Sequence, residues 1–116
     1  MKSVWIFTLA LALLVIGINV TAQATIWTVD VHNFAFVPAT LTIAHGDTVH
    51  WHCSNGFHSV HHNVASPLFG NSPAAAPWDY TFVFNNSGDS TFHYLCQVHP
   101  TLMFGTVTVL PAPPSS

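Results

Sequence analysis

The sequence predicts an all-β domain, an antiparallel Greek-key β-sandwich of about seven to eight strands. After residue 24, apolar and polar side chains alternate in short runs, the period-two signature of half-buried strands. Clusters of Gly, Pro, Asn, Asp and Ser separate those runs. No stretch among them carries a helical period.

The first run sets Trp27, Val29 and Val31 on one face and Thr28, Asp30 and His32 on the other. Phe34 and Phe36 continue it, and Pro38 ends it, having no N–H to give a ladder. Leu41 and Ile43 mark a second strand, closed by the turn chemistry of His45-Gly46-Asp47. Val49, Trp51 and Cys53 then alternate with Thr48, His50 and His52, until Ser54-Asn55-Gly56 breaks the strand. Phe57 to Val64 is a short piece rich in apolar residues and histidine. Ser66 to Pro77, with three prolines, a glycine and an alanine triplet, reads as a long irregular loop. Tyr80, Phe82 and Phe84 alternate with Thr81 and Val83, and Asn85-Asn86-Ser87-Gly88 is a turn. Phe92, Tyr94 and Cys96 share the next inward face, and Phe104 to Leu110 is the last strand. Trp27, Trp51, Phe82, Phe84 and Tyr94 are the aromatic residues expected in the core.

With 116 residues the chain has room for one domain. Lys2, the apolar run Val4 to Val20 and the small residues Thr21-Ala22-Gln23-Ala24 have the pattern of a secretory signal peptide. Cleavage is expected after Ala24, or in second place after Ala22. The competing reading is a retained membrane anchor, although the run is near the short limit of about 17 residues for a span. The expected division is therefore a signal peptide over 1–24, a single β-domain over 25–110 and a short Pro-rich tail over 111–116. The expected location is the periplasm or outside the cell, with no membrane span after signal cleavage.

Residues 25–116 contain no Lys or Arg, and their only formal charges are Asp30, Asp47, Asp79 and Asp89. Nucleic-acid binding is excluded on that ground, because phosphate neutralisation needs cationic side chains. A surface this weakly charged also gives little electrostatic steering to any partner.

The chemistry concentrates between Thr91 and Val109. Cys96, His99 and Met103 fall within eight residues, flanked by alternating strands. Thiolate, imidazole and thioether form a soft donor set that suits copper, and a trigonal His₂Cys site with a weak axial Met is the blue-copper arrangement. One histidine is missing from that set, and nine are present in the chain. Cys53 is a rival for the thiolate, since two cysteines in an exported protein ordinarily form a disulfide. Its parity with Val49 and Trp51 instead makes it a buried free thiol.

Three groups of residues carry a family resemblance. They are Phe34-x-Phe36-x-Pro38 with Leu41-Thr42-Ile43-x-x-Gly46-Asp47-Thr48-Val49-x-Trp51, then Gly56-Phe57-His58-Ser59-Val60, then Tyr94-x-Cys96-x-x-His99-x-x-x-Met103-x-Gly105-Thr106-Val107-x-Val109. Over nearly all of the chain after residue 24 this resembles the cupredoxins, specifically the plastocyanin/azurin-like small blue-copper proteins. The resemblance implies a cupredoxin-like sandwich holding one mononuclear type 1 copper through His58, Cys96, His99 and Met103. His62-Asn63-Val64 fits a second family spelling of the first imidazole, four residues later, and His61 stands behind both. It also implies a monomeric, exported electron-transfer protein rather than an enzyme, serving a redox-protein donor and acceptor. His99 would be the electron's exit, with Pro100, Thr101, Leu102 and Phe104 around it as docking patch. The competing function is a periplasmic copper chaperone or buffer, which would add His50 and His52, with His61 and His62 nearby, to the same site. Zinc is a weaker alternative occupant, because it leaves Met103 without a role.

Overall fold

The structure, a computed structural model, describes residues 23–85 and 90–112. Most of the expected signal peptide, residues 86–88 of the turn and the end of the tail lie outside the described residues. Ten strands run in order among them: β1 (Ile26–His32), β2 (Ala35–Val37), β3 (Thr40–Ala44), β4 (Thr48–Cys53), β5 (Phe57–His58), β6 (His61–His62), β7 (Ala74–Ala75), β8 (Trp78–Val83), β9 (Ser90–Leu95) and β10 (Phe104–Leu110). No helix among the described residues is long and apolar enough to cross a membrane.

The strands form two four-stranded sheets, β2-β1-β4-β8 and β3-β10-β9-β6, and the small pair β5-β7. The expected all-β sandwich is the fold observed, with mixed rather than wholly antiparallel sheets. β4 runs parallel to β1, and β3 runs parallel to β10. The cause is the crossing of the chain. After the β1–β2 hairpin it passes to the second sheet as β3, then returns beside β1 in the same direction.

Alternation along each strand decides which side chains the sandwich buries. Val29, Val31, Val49, Trp51 and Cys53 from the first sheet meet Ile43, Phe92, Tyr94, Val107 and Val109 from the second. Trp51 stands at the centre, its ring 5.4 Å from Tyr94 at a steep angle and 5.7 Å from Phe69 in a stack. Gly105 has no alternative, because a Cβ there would land on the Tyr94 ring. Burial beneath that glycine pushes the Tyr94 phenol up to about 12.

Two expectations about the core are corrected. Trp27 lies at the rim, 37 % exposed, because its indole N–H turns to donate to Asp47 Oδ2 at 3.0 Å. Phe69, inside the stretch expected to be irregular, is buried and packs against Trp51, Phe82, Phe84 and Phe92. That stretch is also anchored by β7, which pairs with β5. It is a flap folded onto the core, and its anchoring bears on the first imidazole of the site.

Candidate metal centre

Cys96 follows β9 at the end of the inward row Phe92, Tyr94, Cys96, and its side chain is 0 % exposed. The loop after it closes on itself through four backbone hydrogen bonds. His99 N–H donates to Cys96 O, Leu102 N–H and Met103 N–H both donate to His99 O, and Cys96 N–H donates to Met103 O, at 3.0–3.2 Å. This clasp ties the Cys-x-x-His-x-x-x-Met segment together through its own backbone. Met103, fully buried, is thereby held beside Cys96 at the start of β10.

His58 arrives from β5, whose partner β7 is further tied by Ala76 N–H donating to Gly56 O at 2.8 Å. Gly56 sits at φ +84°, and a Cβ there would come within 2.5 Å of His58 Nε2. Both the turn and the ring's closeness to the backbone therefore require glycine. Two hydrogen bonds then stitch the His58 segment to the cysteine: Ser59 N–H donates to Cys96 Sγ at 3.4 Å, and Ser59 Oγ accepts from Gln97 N–H at 3.0 Å. Burial, followed by the neighbouring His99 and then His32, holds the His58 imidazole below its ordinary pKa. The ring stays neutral near pH 7 with a lone pair to offer.

His58 Nδ1 lies 3.9 Å from Cys96 Sγ and His99 Nδ1 lies 3.8 Å from it. One donor atom from each of the three falls within 4.8 Å of the others. Metal–sulfur and metal–nitrogen bonds of about 2.3 and 2.05 Å put sulfur and nitrogen roughly 3.8 Å apart at a trigonal angle, against about 3.6 Å at a tetrahedral one. The spacing is close to what a single ion shared by the two imidazoles and the cysteine sulfur would need, and this donor set would suit copper.

The alternatives for the first imidazole are placed elsewhere. His62 is buried under the flap, stacked on Phe69 at 4.7 Å, with Nδ1 accepting from Leu68 N–H at 3.1 Å. His61 pairs through β6 with Leu95. Neither belongs to the His50–His52 face of the first sheet, where the sequence had set them nearby. Cys53 and Cys96 are both free thiols. Cys53 donates to Asn55 O at 3.4 Å, and burial pushes its thiol upward, so it stays protonated.

His99 is half-buried at the surface end of the centre. Phe34, placed at φ 62° in the β1–β2 turn, packs nearly perpendicular to the His99 ring with the ring centres 4.7 Å apart. Phe34, Phe57, Val98, His58, His99 and Asn33 line a cavity of about 260 Å³ at this end. Leu102 and Phe104 are exposed close by in sequence, at 64 % and 54 %. Phe34 and Phe57 are members of this apolar rim that sequence reasoning missed. Their position over the histidines depends on loops meeting at one end of the sandwich.

Fold and site together define a class: a β-sandwich with two imidazoles and a cysteine sulfur gathered at one end and a buried methionine beside them in the same loop. No protein-family model matches the chain, and no curated protein matches it. Solved structures do. A reduced Cu(I) form, at pH 4, of a proline-to-glycine variant of amicyanin is 27 % identical, with a TM-score of 0.62 over 78 % of this chain and 86 % of that one. Amicyanin from Paracoccus versutus matches at 26 % identity and TM-score 0.62, over 78 % and 85 %. An oxidised methionine-to-leucine variant of amicyanin matches at 26 % and 0.62, over 78 % and 86 %. The chain has the cupredoxin β-sandwich fold of these amicyanin structures, and His58, Cys96 and His99 bring together donors typical of a type 1 copper site.

Proposed function

We propose that this protein is an exported one-electron carrier whose metal ligands are His58, Cys96, His99 and Met103. The observation that carries the reading is the donor triangle of His58, Cys96 and His99, braced by backbone hydrogen bonds within the Cys96–Met103 loop and by the Ser59 N–H on Cys96 Sγ. Copper, when bound, supplies the Cu(I)/Cu(II) couple and so takes up or gives out one electron. The chain's own part is to keep its donors still. A site that rearranges little between oxidation states has a small barrier to exchange. The Ser59 N–H on Cys96 Sγ offsets thiolate charge and so tunes the potential. Two imidazoles, a thiolate and the thioether leave no strong position open to a substrate, unlike catalytic metal sites. The structures it resembles include reduced and oxidised forms of a copper protein.

Export rests on the N-terminal pattern of Lys2, the Val4–Val20 run and Ala22-Gln23-Ala24. Cleavage after Ala24 would make Thr25 N an ammonium group, 2.8 Å from the Asp47 carboxylate.

The test is an absorption and electron-spin-resonance spectrum of the protein loaded with one equivalent of Cu(II). The expected result is an intense thiolate-to-copper band in the visible and the narrow hyperfine splitting of a type 1 centre. A colourless cupric adduct, or mass spectrometry finding residues 53 and 96 oxidised together, overturns the assignment.

The apolar rim of Phe34, Val98 and Leu102 around His99 is proposed as the surface through which electrons pass to a redox partner. Leu102→Glu is expected to slow electron self-exchange by roughly tenfold, the effect of ~1–2 kcal/mol at a docking contact, with the colour unchanged. Line broadening in mixtures of reduced and oxidised protein measures it. An unchanged rate would place the docking surface elsewhere.

A further inference from the structure

The outer face of the β2-β1-β4-β8 sheet carries a second cluster of donors, turned away from the interior that β4 shares with the first site. His50 and His52 alternate outward on β4, and register puts Asp79 of β8 directly opposite His52. On the other side of His52, Asp30 of β1 occupies the same row. His50 Nε2 lies 2.7 Å and His52 Nδ1 2.8 Å from a single carboxylate oxygen, Asp79 Oδ1. The three donor atoms all fall within 4.8 Å of one another.

An ordinary polar sheet face spreads its side chains into solvent. Here two rings from one strand converge on one oxygen of the next. We propose that His50, His52 and Asp79 form a second metal site, for a divalent first-row transition ion, independent of the electron-transfer reading. Two imidazole nitrogens and one carboxylate oxygen are the donors that Zn(II) and Cu(II) accept readily, and neither sulfur nor a buried pocket is needed. Bonds of about 2.0–2.1 Å set tetrahedral ligand atoms roughly 3.3 Å apart. The present separations of 2.7 and 2.8 Å are those of N–H···O bonds, and Asp79, whose side chain is 57 % exposed, is free to give by the difference. The ion takes the place of the two ring protons now directed at Oδ1, and each proton passes to the far nitrogen of its own ring, Nδ1 of His50 and Nε2 of His52, so both imidazoles stay neutral. Water completes its shell from the open side. Bound there, it ties β4 to β8, the edge strand of that sheet.

The two sites differ in chemistry, which lets one be filled before the other is probed. The protein is first loaded with one equivalent of copper, and Zn(II) is then titrated by calorimetry. One further equivalent is expected to bind with the blue band unchanged. Asp79→Asn and His52→Gln should each weaken it by more than the ~10–100-fold that loss of an outer-shell partner costs, and the retained colour reports that each variant is folded. The same titration on Cys96→Ala, which lacks the first site's thiolate, should still show the equivalent lost with His52. This arm keeps the inference testable even if no blue centre forms. With Cu(II) as the second ion, the ring protons of His50 and His52 should broaden ahead of those of His45, His61 and His93. No binding after the first site is filled, binding unaffected by the His50→Gln/His52→Gln double variant, or broadening centred on the other three histidines would each overturn the proposal.

Discussion

Cys96→Ser is expected to abolish the visible charge-transfer band and the type 1 spin-resonance signal, while Cys53→Ser leaves both intact. The two thiols look alike in sequence and are both buried, but only one is surrounded by donors. Cys96 Sγ has His58 Nδ1 and His99 Nδ1 within 3.9 Å and an amide N–H from Ser59 directed at it. Cys53 Sγ faces a backbone carbonyl, which favours the protonated thiol. A serine hydroxyl at 96 does not ionise at neutral pH and is a hard donor, so the set loses the ligand that makes it suit copper in both valences. The fold should survive, since the loop clasp is made of backbone hydrogen bonds. Absorption and spin resonance of copper-treated variants, with melting curves of the metal-free forms, measure the two effects separately. A blue Cys96→Ser protein, or a colourless Cys53→Ser protein, would reverse the assignment of the thiolate.

Asp47→Ala is expected to produce the largest loss of stability of any single polar-to-apolar change at the described residues outside the candidate metal centre. The carboxylate is buried and accepts three hydrogen bonds: Thr25 N–H on Oδ1 at 2.8 Å, and Trp27 Nε1–H and Ala44 N–H on Oδ2, each at 3.0 Å. It thus ties the start of β1 to the β3–β4 turn. Truncation leaves three donors without their acceptor, and the loss expected is ~3–5 kcal/mol, or more than ~10 °C in Tm for a domain of this size. Burial by itself would raise the Asp47 pKa, but the hydrogen bonds from Thr25, Trp27 and Ala44 outweigh it and the net shift is downward. A folded-state pKa below the unfolded value means that the charged carboxylate contributes its full stability above about pH 3.9. That contribution is lost as pH falls through the lowered value. Denaturant titrations from pH 7 to pH 3 should therefore show the gap between the native protein and Asp47→Asn narrowing only below about pH 4. A gap that is small at pH 7, or constant down to pH 3, would show that the carboxylate does not anchor the turn.

The longer strands, the inward rows on β4 and β9 and the spacing of Cys96, His99 and Met103 were determined by the sequence alone, because each depends on neighbours only a few residues apart. A period of two turns Val49, Trp51 and Cys53 inward whatever else the chain does. A short loop between two paired strands leaves Cys96, His99 and Met103 few ways to be arranged. What lies between distant segments needed the tertiary structure. Letters alone left His58 and His62 both open; the β5–β7 pairing and the Ser59 bonds bring His58 to Cys96, and the Phe69 flap takes His62 into its own stack. Phe69 in the core, the parallel β1–β4 and β3–β10 pairings and the meeting of Asp79 with His50 and His52 likewise follow from strand crossing and register. Local side-chain periodicity carries no record of which strand will lie alongside, and contacts across a sandwich are made by that choice.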